Sequence, residues 1–194
     1  MEKITEEKQQ TAGKQKTNFF RELLDYLVTL AVCFVIVWGV TSFLVRPIEV
    51  VGSSMFPTLH PDSRGFANIL GRRTEGLKRF DIAIIYIEDK EEYIVKRVIG
   101  LPGETVSCKN DVIFINGEAI EQPFLNTDYA KGHEGVFTSD IEPIQLGSDE
   151  YYCMGDNRPS SRDSRYYGPF KEAQIKAKGA FIFFPFDQFG VKSW

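Results

Sequence analysis

Residues 26–45 read YLVTLAVCFVIVWGVTSFLV, twenty residues without a charge between Asp25 and Arg46, and no other feature limits the folds open to this chain as strongly. As an α-helix the run is about 30 Å long, the thickness of a bilayer's hydrocarbon core. A buried core helix is rarely apolar on every side over such a length. A cleaved signal peptide has an apolar region of only about 7–15 residues ending in a small-x-small site, whereas this run is longer and ends in Leu44-Val45-Arg46-Pro47. A lipoprotein reading of Leu30-Ala31-Val32-Cys33 also fails, because Val32 is bulky and the apolar run continues past the cysteine. The run is therefore read as a transmembrane helix. Lys8, Lys14, Lys16 and Arg21 precede it and only Arg46 and Arg64 follow closely, which predicts a cytoplasmic tail over residues 1–25 and an extracytoplasmic domain over residues 46–194. Residues 1–17, rich in Lys, Glu, Gln and Thr, are expected to be disordered. Phe19, Phe20, Leu23, Leu24 and Leu27 then recur at helical spacing into the span.

After Pro47 the apolar residues come in short runs separated by Gly, Pro and Asp, as in Asp81-Ile-Ala-Ile-Ile-Tyr-Ile, Tyr93-Ile-Val-Lys-Arg-Val-Ile and Phe181-Ile-Phe-Phe. This is the pattern of strands. Asn116-Gly117 between two apolar runs is the strongest short-range signal for a hairpin. Residues 171–178 offer at most a short turn of helix. Residues 104–152 are richer in acidic and turn residues and read as an excursion inserted into the core sheet. The outer domain is expected to be mainly β.

The net charge is -4, with 27 acidic against 23 basic residues, which argues against a nucleic-acid partner, because such proteins need surplus Lys and Arg. Cys33, Cys108 and Cys153 are too scattered for a disulfide scaffold or a zinc cluster. A Cys108–Cys153 pair stays open. His60 and His133 are the only histidines, and neither has an Asp at a spacing that suggests a Ser-His-Asp triad. No metal site is expected.

Two residues are candidates for chemistry. Ser54 lies in Gly52-Ser53-Ser54-Met55-Phe56-Pro57-Thr58, where an extended segment turns; a serine there projects into a cleft or simply bonds the turn's backbone. There is no G-x-S-x-G elbow and no S-x-x-K motif. Lys96 sits inside an apolar strand, on one face with Ile94 and Val98, with Arg97 on the other. Burial makes such a lysine a neutral base, whereas on an edge strand it only blunts aggregation. One of these two cations must find a partner or stay at an edge, and Asp156 and Asp163 are the candidates. The polar loop from Gly155 to Arg165 is dense in hydroxyls, carboxylates and guanidiniums, which is also how a solvated loop reads.

Ser54-Met55-x-Pro57-Thr58, Lys96-Arg97-Val98-x-Gly100-x-Pro102-Gly103 and Gly155-Asp156-Asn157-Arg158-x-x-Ser161-x-Asp163-Ser164-Arg165-x-x-Gly168 follow in this order after one N-terminal span, with Arg79-x-Asp81 and Phe183-Phe-Pro-Phe besides. Together they resemble bacterial type I signal peptidases of the short form typical of Gram-positive bacteria. The resemblance implies an all-β protease core with an inserted small β subdomain, and a membrane-anchored serine endopeptidase without cofactor. It puts the nucleophile on Ser54, the general base on Lys96, and the hydroxyl that orients the lysine on Ser161. Structural ion pairs fall on Asp163 with Arg165 and Asp156 with Arg97. The Ser54 N–H serves the oxyanion, and Gly52 stands where some relatives place a second, serine donor. Substrates would be secretory preproteins with small residues at -1 and -3, bound in extended form beside a strand, with Val50, Val51 and residues near Ile94 and Ile84 as candidate pocket walls. The partners so implied are signal peptides and membrane lipid.

Three rivals remain at this stage. Self-cleaving repressors share the Ser/Lys arrangement but carry a DNA-binding module where this chain has a span. A pilin-processing or conjugation-specific relative would differ only in substrate. An anchored binding module or inactive paralogue would use the motifs structurally, against which stands the presence of Ser54, Lys96 and Ser161 together.

Overall fold

The computed structural model describes residues 2–125 and 127–192, and it divides the chain into two units that part after Phe43. The first is a single helix, α1 (Glu2–Gly39), ending in a π-helical turn over Val40–Leu44. Its apolar stretch, Phe19–Leu44, is exposed throughout, as a helix whose solvent is lipid must be. The stretch begins seven residues earlier than residue 26. Residues 2–17 are helical rather than disordered: Glu, Lys, Gln and Ala are strong helix formers, and no proline interrupts them before Pro47.

The second unit is built from two antiparallel sheets. The main one takes β1 (Val45–Glu49), β2 (Arg64–Asn68), β3 (Ile82–Ile87) and β4 (Glu92–Gly100). The chain then leaves to form a second sheet from β5 (Thr105–Lys109), β6 (Val112–Ile115), β7 (Glu118–Ile120) and β8 (Ile141–Gln145). It returns with β9 (Glu150–Met154), β10 (Phe170–Lys171), β11 (Ile175–Phe184) and β12 (Gly190–Lys192). The main order is β1-β2-β11-β3-β4-β9-β10, with β12 on β11; the second order is β7-β6-β5-β8. Asn116 and Gly117 turn β6 into β7 at φ 52° and 83°, the positive angles a two-residue hairpin requires. Pro47 lies in β1, an edge strand, where a missing N–H costs no ladder bond. Residues 171–178 are mostly strand; only Glu172–Gln174 make a 3-10 turn.

The second sheet is the expected excursion, and its core is continuous with one face of the main sheet. Val106, Cys108, Ile113, Phe124 and Ile141 pack on Ile99, Tyr152 and Met154. The other face buries Ala83, Ile85, Val98, Cys153 and Ile175. Cys108 and Cys153 are buried and free, so no disulfide joins the sheets. A polar tether does: Arg158, 1% exposed, donates from Nε to Gly155 O (3.1 Å), from Nη1 to Thr138 Oγ1 (3.1 Å) and from Nη2 to Gln122 Oε1. Burial lowers its pKa to about 10.

Arg158→Met keeps the volume but leaves those buried acceptors without a donor, which is expected to cost at least about 2 kcal/mol. A lower urea midpoint at unchanged slope is the expected reading. An unchanged midpoint would show that the tether contributes nothing.

Candidate active site

β4 pairs with β3 through Lys96 and with β9 only from Arg97 onward, so burial, not a second neighbouring strand, takes the lysine out of water. Lys96 pairs with Ala83 of β3 and is 3% exposed. Its Nζ lies 2.8 Å from Ser54 Oγ and donates to Val95 O at 2.9 Å. Among the described residues it forms no ion pair. Burial is the main influence on its pKa, which falls from 10.5 to about 8, against a weaker opposing pull from the Asp163 carboxylate. At pH 7 about a tenth of such amines is unprotonated.

Alternation turns Arg97 to the other face, where it is fully buried and fully matched. Nε donates to Asp156 Oδ1 (2.8 Å), Nη2 to Oδ2 (2.7 Å) and Nη1 to Phe80 O (2.8 Å). Its guanidinium lies 4.2 Å from the centre of the Phe124 ring. Thr58 Oγ1 donates to Asp156 Oδ2 at 2.6 Å, which links this pair to the serine's turn. Two adjacent cations on one central strand thus meet opposite fates: one is neutralised by a bidentate carboxylate and the other is left to deprotonate.

Ser54 is half-buried in the turn between β1 and β2. Met55 and Leu59, both 0% exposed, anchor that turn in the core beside Val50, Ile82 and Ile182. Phe56 N–H donates to Ser53 O (3.0 Å) and Leu59 N–H to Met55 O (2.9 Å). The loop after β9 grips the turn from the side. Asn157 N–H donates to Ser54 O (3.0 Å) and Asn157 Nδ2 to Ser53 O (3.1 Å). Gly155 permits this approach, because a Cβ there would lie 2.4 Å from Ser54 O and 2.2 Å from Ser161 Oγ. The Ser54 N–H has no protein acceptor among the described residues, so it is free to receive an oxyanion. Gly52 adopts φ +80° and is exposed.

Asp163 is buried and accepts from Arg165 Nε (2.9 Å) and Nη2 (2.8 Å) and from Gly155 N–H (2.9 Å). Burial alone would raise its pKa; the Arg165 bonds and charge and the Gly155 N–H outweigh that and hold it below the usual range. Ser161, the residue expected to orient the lysine, lies beside this pair, and its hydroxyl is near enough to Asp163 to favour the carboxylate's charge. Among the described residues Lys96 Nζ bonds Ser54 Oγ and Val95 O. The pocket expectation is corrected for Val50, which is closed in the core at 3% exposure, while Val51 is open and Ile94 half-buried. Asn157 and Thr58, the two residues that join turn to loop, stand inside the sequence motifs but had no assigned part.

Residues 23–184 match the family described as "Signal peptidase, peptidase S26". Signal peptidase I of Bacillus amyloliquefaciens is 39% identical over 178 residues, covering 90% of this chain and 95% of that protein. Signal peptidase IB of Staphylococcus aureus is 36% identical over 179 residues, covering 87% and 93%. A crystal structure of a signal peptidase I from Enterococcus faecalis is 32% identical, covers 53% of this chain and 95% of its own, and has a TM-score of 0.48. The family match encloses the serine's turn, the lysine's strand and the loop that joins them: the chain belongs to the peptidase S26 family of signal peptidases.

Proposed function

We propose that this protein is a membrane-anchored serine endopeptidase that removes N-terminal signal peptides from secreted preproteins after small-x-small sites, with Ser54 as nucleophile and Lys96 as general base. The observation that carries the reading is the 2.8 Å approach of a buried lysine, without a carboxylate partner, to a serine oxygen. One N–H of the neutral amine is spent on Val95 O, which turns the lone pair toward the Ser54 hydroxyl. As Oγ attacks the scissile carbonyl, the amine takes its proton, and the ammonium so formed lies in the field of Asp163. The Ser54 N–H donates to the developing oxyanion. Lys96 then returns its proton to the leaving amine, and a water it deprotonates hydrolyses the acyl-enzyme. Neither histidine, metal nor cofactor takes part. The Arg97–Asp156 and Asp163–Arg165 pairs hold the strand and loop that carry these groups.

Phe19–Leu44 serves as the membrane anchor, with its basic flank in the cytoplasm and the β unit outside. The apolar run ends at Leu44 and β1 begins at Val45, so the chain enters the sheet directly from the span. Phe181, Phe183, Phe184, Phe186 and Phe189 are exposed on and after β11, an apolar surface suited to lipid. Eight residues lead from Arg46 to Ser54, a reach of at most about 30 Å, so a preprotein whose signal segment is still in the membrane would meet Ser54 within that distance of the bilayer surface. Cleavage by wild type but not by Ser54→Ala separates this reading from a binding module, which would keep its function in the variant.

The pH dependence follows from Lys96. Cleavage of a preprotein should rise through about pH 8 and fall in acid. Lys96→Ala and Lys96→Arg should each lose roughly 10²–10⁴-fold in rate, arginine because guanidinium stays protonated. A profile flat from pH 6 to 9 would remove Lys96 as the base.

Stability should show the same group from the other side. Because the folded-state pKa lies below 10.5, the unfolded chain binds the extra proton, and stability rises as pH climbs from about 8 to 10.5. Lys96→Met abolishes that rise. Equal pH slopes in urea titrations of wild type and variant would contradict the assignment.

Deleting residues 2–43 leaves every strand in place. The remaining domain should keep Ser54-dependent cleavage of short soluble peptides while cleaving membrane-inserted preproteins more slowly. Equal rates on inserted preproteins would show that the anchor has no part in presentation.

A further inference from the structure

The inserted segment sends one side chain into the machinery that holds Ser54. Tyr129 belongs to α3 (Asp128–Lys131), a single turn whose first residues are capped by Thr127 Oγ1, which accepts from Ala130 N–H. The Tyr129 ring packs edge-on against Phe56, with centroids 4.9 Å apart and planes at 86°, and Phe137 packs on it from the inserted segment at 6.3 Å. Phe56 is two residues beyond Ser54. The Tyr129 hydroxyl donates to Asn157 Oδ1 at 3.1 Å.

The Asn157 carboxamide is held at both ends. An amide can present either its oxygen or its NH2 to a neighbour. The Ser53 carbonyl only accepts, so it takes Nδ2, and the tyrosine hydroxyl donates to the Oδ1 left on the other side and fixes the amide in that pose, while the Asn157 backbone N–H donates to Ser54 O. A flipped amide would set Oδ1 against Ser53 O, two acceptors face to face. The tyrosine thus reaches the nucleophile's backbone by two routes, through the amide to Ser53 and through the ring to Phe56.

We propose that Tyr129 is a positioning residue for cleavage: acting through Asn157, it sets the Ser53–Ser54 backbone, and with it the approach of Ser54 Oγ to Lys96 and the direction of the Ser54 N–H. The inference rests on the Ser54/Lys96 reading above. It makes the inserted sheet part of the catalytic geometry rather than a separate appendage, because misplacing a reacting group by even an ångström slows attack without loosening substrate.

The test uses the full-length protein in detergent micelles with a secretory preprotein. Tyr129→Phe keeps the ring on Phe56 and deletes only the hydroxyl. Its kcat should fall about 3–10-fold, the worth of one hydrogen bond, with KM within about twofold of wild type and the pH midpoint unmoved, because no group beside Lys96 changes. Asn157→Ala should lower kcat at least as far, and Tyr129→Phe added to it should cost nothing more. A purely structural tyrosine would lower thermal stability and leave kcat per folded molecule untouched, which would overturn the proposal. So would an equal loss in both backgrounds, since the effect would then bypass Asn157, or a loss confined to KM, since the hydroxyl would then be touching substrate. Ser54→Ala runs beside these variants. If it still cleaves, the function proposed above fails and the positioning role falls with it; Ser54-dependent cleavage indifferent to Tyr129 sinks the positioning role alone.

Discussion

The structure turns on a lysine whose charge the interior of a sheet weakens. Lys96 lies in the middle of β4, paired with β3, and its surroundings offer Ala83 and the thiol of Cys153 rather than a paired carboxylate. Taking an ammonium out of water without a counter-ion is expensive enough that the group lowers its pKa instead. Arg97 shows the alternative at the very next residue: there the fold supplies Asp156, Thr58 and a carbonyl as partners. Exchanging the two residues would defeat both arrangements. Guanidinium does not deprotonate, and an ammonium cannot reproduce the bidentate geometry.

Much of the fold is legible because strand alternation and turn chemistry are local. Asn116-Gly117 names its hairpin, Pro47 marks an edge, and Asp81–Ile87 and Tyr93–Ile99 show their strands directly. The centrality of β4 is not legible, because it depends on β9 and β11 returning from more than fifty residues away to enclose β3 and β4. From residues 94–99 alone, Lys96 reads equally well as an edge lysine. The ordering of motifs, not any one of them, separates the two readings.

The site divides along the same line. Ser54 and Lys96 stand out as residue types in telling places, whereas Asn157 and Thr58 act on partners about a hundred residues distant, a backbone carbonyl in one case and a shared carboxylate in the other. Nothing in their own neighbourhoods announces that. Tyr129 has less still, since its polar partner, Asn157, enters from the loop after β9. Ser161 is legible only as a motif position, and its hydroxyl packs against Gly155.

These threads meet in four consecutive residues. Gly155 is small enough for the serine's carbonyl to lie against it; Asp156 neutralises Arg97 and accepts from Thr58; Asn157 holds the backbone at Ser53 and Ser54; Arg158 ties down the inserted segment through Thr138 and Gln122. Each uses a different property: the absence of a side chain, a bidentate acceptor, a two-ended amide and a forked donor. The turn is short, so shifting the register by one residue would exchange all four properties at once. An aspartate against the serine's carbonyl would set two acceptors together, and an asparagine opposite Arg97 would leave a buried guanidinium without its counter-charge. The inserted sheet and the serine's turn are therefore fixed to the main sheet through one loop, whose chemistry tolerates no slippage.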